Sequence, residues 1–266
     1  MSGTSFQVVD GLRTRIRVHG EGTPLLLIGG VWSQVELWDD VLPHLDGFRA
    51  IMFDPPGIGA SELPRRPMTV RGLARFAGAV LDAVGVRRAH VLGVSLGGVV
   101  AQQMARSLPE RVDRLVLVST AYGAPGLPGR PDVVLRFARP RAYADADALE
   151  RSAGAIFGGR LRAQPHLVHQ WHLRPAADLR SYVYRLAGTV GWSSLPWLHK
   201  LPHPTLVVHG DDDPIVPLVN ARVIARRVPH ARLRVVPRGG HLLLLDSAPE
   251  VLPHVTDFLE QRKERP

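Results

Sequence analysis

The sequence predicts an α/β fold: a mostly parallel sheet flanked by helices, with a helical cap inserted into it. Three observations predict it. Short apolar runs alternate with amphipathic stretches, a Gly-x-Ser-x-Gly pentapeptide lies where one run gives way to a helix, and a long segment of different composition interrupts the alternation. The runs fall at residues 25–29, 50–54, 90–94, 115–119, 205–209 and 232–236. Each is a strand-length, mostly apolar run. Between them, 70–84 and 99–107 have the 3.6-residue periodicity of amphipathic helices, and this alternation implies a parallel sheet covered by helices. Four runs precede residue 120 and two follow residue 204, so the interruption falls inside one sheet.

The interrupting segment, 122–202, opens with the Gly-Pro-rich YGAPGLPGRPD, continues through Arg-, Ala-, His- and Trp-rich stretches, and closes with GWSSLPWLHKLPHP. It is too long for a bare loop in a compact domain. The expected organisation is a core of 1–121 and 203–266 with 122–202 as a helical cap. Trp171, Trp192 and Trp197 exceed what a solvated loop needs. With Trp32 they are candidate substrate-binding residues. For any one of the cap tryptophans, simple packing of cap on core is an equally good reading.

Composition narrows the chemistry. Of the 266 residues, 45% are hydrophobic and 21% charged, ordinary for a globular protein and unlike a disordered one. The chain has no cysteine, which excludes disulfides, thiolate nucleophiles and Cys-ligated zinc. The N-terminus alternates polar and apolar residues without the apolar core of a signal peptide, and LLLI at 25–28 falls far short of the ~20 residues that span a bilayer. A cytoplasmic protein with no integral membrane association is expected. The net charge of +9 comes from arginines scattered along the chain, with no basic arm for nucleic acid. There is no P-loop, and no Gly-x-Gly-x-x-Gly after the first apolar run. No cofactor and no metal is expected, and nothing sets an oligomeric state.

The pentapeptide lies in HVLGVSLGGVVAQQMA, residues 90–105. A strand, a sharp turn eased by Gly93 and Gly97, and a helix would hold Ser95 exposed above the sheet as a nucleophile. A serine hydroxyl attacks only when a base takes its proton, so a histidine and an orienting acid must follow. VVHGDDDPIVP places three aspartates, Asp211, Asp212 and Asp213, in the turn after a strand. RVVPRGGHLLLLDSAPE ends another strand in Gly-Gly-His, and His241 is the expected base. His19, His44, His90 and His230 belong to no motif.

Together FDPPGIGAS, GVSLGG, PERVDRLVLVST, GDDDPIVP and GGH resemble the α/β-hydrolase superfamily, from about Leu25 to Leu259. The resemblance implies that the acid lies three residues after the glycine of the post-strand turn, which makes it Asp213, with Asp211 and Asp212 as loop residues. It implies an oxyanion hole built from the backbone N–H groups of Leu96 and of Val31 in IGGVWSQ. Superfamily relatives often have His-Gly where this chain has Gly29-Gly30. Asp54 in FDPPGIGAS resembles a recurrent structural turn.

The segment GWSSLPWLHKLPHPTLVVHGDDDPIVPLVN is similar to the intracellular medium-chain-length polyhydroxyalkanoate depolymerases, as are RFARPRAY and IFGGR. In that family a tryptophan follows the nucleophile, whereas here Leu96 does, implying a different acyl pocket. The resemblance implies a serine ester hydrolase acting through an acyl-enzyme on medium-chain polyester, with the ester as partner at a granule surface. A carboxylesterase or lactonase acting on small soluble esters is the alternative. Carbon–carbon bond hydrolases and perhydrolases share the triad, whereas Ser95 argues against a dehalogenase or epoxide hydrolase. From another class, a hydrolase fold serving as a non-catalytic ligand binder would look the same in sequence.

Overall fold

The computed structural model describes residues 3–126, 129–137, 145–171 and 179–261. Among them, eight strands form one sheet: β1 (Gly3–Val9), β2 (Leu12–His19), β3 (Thr23–Ile28), β4 (Phe48–Phe53), β5 (Ala89–Val94), β6 (Val112–Val118), β7 (Thr205–Gly210) and β8 (Ala231–Val236). Their spatial order is β1-β2-β4-β3-β5-β6-β7-β8. The pairs β1/β2 and β2/β4 are antiparallel, and the rest are parallel. All six predicted strands are present. The hairpin β1–β2 was not predicted, because β1 is exposed along nearly its whole length and lacks the unbroken apolar run of a buried strand.

The helices are α1 (Val70–Ala83), α2 (Leu96–Ser107), α3 (Pro131–Phe137), α4 (Ala146–Phe157), α5 (Leu179–Ala187), α6 (Val219–Arg227), α7 (Leu243–Asp246) and α8 (Ala248–Glu260). Successive side chains of β3 go to opposite faces. Leu26 and Ile28 join Phe76 of α1, Met104 of α2 and Ile224 of α6, while Leu25 and Leu27 join Leu252 and Phe258 of α8. Helices α3, α4 and α5 all lie between β6 and β7, in the interrupting segment. Residues 138–143 of RFARPRAY and residues 127–128 of the Gly-Pro stretch lie outside the described residues. Among the described residues no helix is long and apolar enough to cross a membrane.

Helix α2 starts at Leu96, three residues before the expected 99. Gly97 and Gly98 are therefore helical residues and not only turn residues. They are small because the helix start presses on the sheet: a Cβ on Gly97 would lie 2.0 Å from the carbonyl oxygen of Ile28. A Cβ on Gly98 would lie 2.6 Å from Cβ of Thr120.

Asp54, at the end of β4, holds the loops beside this helix start. Its fully buried carboxylate accepts hydrogen bonds from Arg15 Nε at 2.6 Å, Val35 N at 2.9 Å and Ala60 N at 2.8 Å. One side chain thus ties β2 to the loops that follow β3 and β4, the structural role its motif resembles. Asp54→Ala leaves two backbone donors and a guanidinium without their acceptor. It is expected to lower the free energy of unfolding by about 3 kcal/mol, read as a lower urea midpoint at unchanged m-value.

Candidate active site

Ser95 joins β5 to α2 with φ 53° and ψ −119°, a conformation that L-residues rarely adopt. Its neighbours hold it there. The Ser95 amide donates to the carbonyl of Val118 at 2.9 Å, and its own carbonyl accepts from Gly98 N at 2.9 Å and Thr120 Oγ1 at 2.7 Å. A Cβ on Gly93 would lie 2.4 Å from the carbonyl oxygen of Gly97, so both glycines of the pentapeptide are needed for the chain to turn this sharply.

His241 lies in the loop between β8 and α7, and its Nε2 is 3.0 Å from Ser95 Oγ. Its Nδ1 is 2.8 Å from Asp213 Oδ2. A carboxylate accepts, so Nδ1 carries the proton and the lone pair of Nε2 faces the serine hydroxyl. Asp213 Oδ1 accepts from the amides of Ile215 and Val216, both at 2.9 Å. Both the acid and the imidazole are buried. The structure therefore brings together Ser95, His241 and Asp213.

The adjacent aspartates point elsewhere. Asp212 receives Arg162 at 2.6 and 2.9 Å and the amide of Gly159 at 2.9 Å. The Arg162 hydrogen bond holds its carboxyl below the usual range. Asp211 receives the amide of Arg238 at 2.6 Å.

His209, at the end of β7, was not singled out in the sequence. Its Nε2 donates to the carbonyl of Val216 at 2.7 Å and lies 3.5 Å from Asp213 Oδ2. Burial pushes its pKa down, so it packs behind the acid as a neutral ring. The signal was its position four residues before Asp213, in the turn that supplies the acid.

The end of α4 supports the same loops. The His241 amide donates to the carbonyl of Phe157 at 2.7 Å. A Cβ on Gly158 would meet the carbonyl of Asp212 at 2.0 Å, and one on Gly240 would meet that of Phe157 at 2.4 Å. IFGGR is thus the seat on which the acid and base loops rest.

Leu96 opens α2, where amides have no partner within the helix. Val31 follows Gly30, where a Cβ would lie 3.4 Å from Cβ of Ser95, so both expected oxyanion donors belong to segments bordering the serine. Leu96 and Val31 are buried in a cluster with Trp32 and, from the interrupting segment, Ile156, Phe157, Leu161, Val168, Trp171 and Tyr182. Trp32 meets Phe157 edge-on and stacks with Tyr182. Trp192 sits at the margin of this cluster, its Nε1 donating to Gln103 Oε1 at 2.8 Å. Trp197 packs instead against the sheet-face core that holds α1 and α2. An apolar cavity of about 30 Å³ adjoins the elbow, lined by Ser33, Leu37, Trp38, Val41, Val94, Leu242, Leu244 and Leu245. Among the described residues no group of three His, Asp or Glu side chains is arranged to hold a metal ion.

Residues 23–248 match the family defined by the alpha/beta hydrolase fold. The chain belongs to the α/β-hydrolase family. It is 41% identical over 249 residues to a poly(3-hydroxyalkanoate) depolymerase of Ectopseudomonas oleovorans, covering 91% of this chain and 86% of that one. It is 31% identical to a 2-hydroxymuconate semialdehyde hydrolase of a Pseudomonas species, covering 96% of this chain and 93% of that one. Among solved structures, a hydrolase from Pseudomonas aeruginosa superposes with a TM-score of 0.83 at 28% identity, covering 97% of this chain and 99% of that one. For this family, the strand–elbow–helix around Ser95 is the expected context of a nucleophile.

The buried His209 gives stability a pH dependence of known sign. Its folded pKa lies below the ordinary 6.5, so between the two values the unfolded chain binds a proton that the folded chain does not. That contribution is complete above about pH 6.5 and is lost as the pH falls below it. His209→Gln keeps an N–H donor for Val216. Its melting temperature is expected to fall less than that of the wild type between pH 7.5 and pH 5.5.

Proposed function

We propose that the protein is a serine ester hydrolase acting through an acyl-enzyme, and specifically a cytoplasmic poly(3-hydroxyalkanoate) depolymerase preferring medium-chain polyester. One observation carries the chemistry: the hydrogen-bonded line from Ser95 Oγ through His241 to Asp213, 3.0 and 2.8 Å long. Ser95 Oγ attacks the ester carbonyl as His241 Nε2 takes its proton. The amides of Leu96 and Val31 receive the oxyanion, and His241 returns the proton to the departing alkoxide. Water, deprotonated by the same imidazole, then cleaves the acyl-enzyme and releases the hydroxy acid. Asp213 fixes the tautomer and stabilises the imidazolium.

The substrate reading rests on the 41% identity to the Ectopseudomonas depolymerase. In it, 1–121 and 203–266 are the catalytic core and 122–202 is a cap lining the acyl pocket with Trp32 and Trp171. Each pendant methylene buried under such a cap contributes about 0.8 kcal/mol, which favours longer side chains until the pocket is full. Leu96, smaller than the tryptophan of the depolymerase family, leaves space beside Ser95 and broadens acceptance. Leu179, Val183, Leu186 and Val190 are exposed along one side of α5 and the turn after it, an apolar stripe suited to a granule surface. The second reading is a carboxylesterase or lactonase for small soluble esters, which would use the same Ser95, His241 and Asp213.

Acid release from emulsified polyhydroxyoctanoate and polyhydroxybutyrate, beside p-nitrophenyl esters of graded length, decides between the two. Faster release from polyhydroxyoctanoate is expected, whereas turnover of soluble esters alone would leave the second reading. Absence of all turnover would leave a ligand-binding member of the family. Ser95→Ala is expected to lower turnover about 10⁶-fold with an unchanged circular dichroism spectrum. Asp213→Asn should cost about 10⁴-fold, and Asp211→Asn and Asp212→Asn no more than about tenfold.

A further inference from the structure

Arg185 is a buried cation with no carboxylate partner among the described residues. It lies on the inward side of α5, 6% exposed, and its Nη2 donates to the carbonyl of Gly30 at 3.0 Å across 155 residues of sequence. Its Nε and Nη1 have no partner among the described residues. Around it are Pro56, Pro64, Met68, Leu73 and Tyr184, leaving a void of about 10 Å³, room for one water at most. Burial pushes its pKa down to about 10, so the guanidinium remains charged at neutral pH. Burying such a group with two idle donors is costly, and a neutral side chain of similar volume would pack there at less cost.

α5 does not need Arg185 as its anchor. Ser181 Oγ donates to the carbonyl of Gly57, Tyr182 stacks on Trp32, and the carbonyl of Gly188 just beyond the helix receives the amide of Val70.

We infer that Arg185 is a positioning residue for the oxyanion hole, its guanidinium holding the carbonyl of Gly30 so that the N–H of the same peptide unit, on Val31, faces the reacting carbonyl. The inference rests on the ester-hydrolase reading above. A trans peptide directs its C=O and N–H to opposite sides, so fixing one fixes the other. The same carbonyl also accepts the amide of Ser33 at 3.3 Å, which closes the turn of the loop. A charged donor on the carbonyl polarises the peptide and strengthens its N–H as a donor. The positive charge also lies behind the place where the oxyanion forms, within a protein interior that screens it little. The interrupting segment would then supply an electrostatic component of the reaction as well as covering it.

The test compares wild type, Arg185→Met, Arg185→Lys and the exposed control Arg180→Met. Three quantities are measured: kcat and KM on p-nitrophenyl octanoate, the inhibition constant of an alkyl trifluoromethyl ketone that adds to Ser95 as an oxyanion, and the melting temperature. Arg185→Met is expected to lower kcat at least about tenfold with KM within about twofold. It should weaken the ketone by the same factor, because the interaction is made only with the oxyanion. Arg185→Lys, whose ammonium donates to the same carbonyl, should recover part of both, and Arg180→Met should change neither. A folded Arg185→Met protein with kcat and ketone affinity within about twofold of wild type would overturn the inference, whatever its melting temperature. Should the methionine variant not fold, Arg185→Gln is read by the same two numbers. A loss of at least about threefold in both is expected there, and unchanged values would overturn the inference. A wild type without ester turnover overturns the ester-hydrolase reading together with this one, whereas an active wild type with an unaffected Arg185→Met overturns this one alone.

Discussion

Ser95 sits at φ 53° and ψ −119°, where a side chain crowds its own backbone at a cost on the order of 1–3 kcal/mol. Relaxing it would swing Oγ away from His241 and tilt α2 off the sheet. The conformation persists because everything around it is over-determined. The flanking amide and carbonyl are hydrogen-bonded to β6 and to Thr120, and both neighbouring glycines are in contact with backbone. The parallel strands β5 and β6 are buried along nearly their whole length, so their packing supplies the free energy that the strained turn consumes.

The remaining parts of the site lie in loops that leave the same edge of the sheet. Gly30 and Val31 follow β3, Ser95 follows β5, Asp213 follows β7 and His241 follows β8. In an open parallel sheet this edge, at the carboxyl ends of the strands, is where ligands bind. The interrupting segment leaves after β6, from the same edge, and its two ends are joined by the bridge between Gly123 and Ser193 and by the Ser194 amide donating to Tyr122 at 2.8 Å. It touches the site at several places, two of which bear on the loops that carry these residues. The end of α4 seats the acid and base loops, and α5 reaches the loop after β3. Removing it would therefore take away supports of the loops that carry Gly30, Asp213 and His241.

Charge is partitioned with similar economy. Three consecutive carboxylates are each satisfied by a different group: a backbone amide for Asp211, an arginine for Asp212, an imidazole for Asp213. Only the third is buried beside His241. The ion pair of Asp212 with Arg162 is half-exposed, so it contributes little to stability, yet it fixes the turn that aims the next residue inward.

By itself the sequence determined six of the eight strands, because the buried strands β3 to β7 read as apolar runs, and the edge strand β8 still ends in a short apolar stretch. It also showed Ser95, three aspartates and His241 each following a strand beside glycines, and the resemblance to the α/β-hydrolases singled out Asp213 among the three. It placed helices between β6 and β7 from segment length alone. It did not disclose β1 and β2, whose exposed faces carry no apolar run, nor the start of α2 at Leu96, since glycines read locally as a turn. Trp171 and Trp197 read alike in sequence, yet one joins the buried cluster that holds Leu96 and Val31 and the other packs against the sheet-face core. Only the tertiary structure decided such matters, because burial depends on which surface arrives from elsewhere in the chain. Arg185 is the clearest case. In sequence it is one more arginine on an amphipathic helix, and it becomes a buried donor to Gly30 only when a loop 155 residues away folds beneath it.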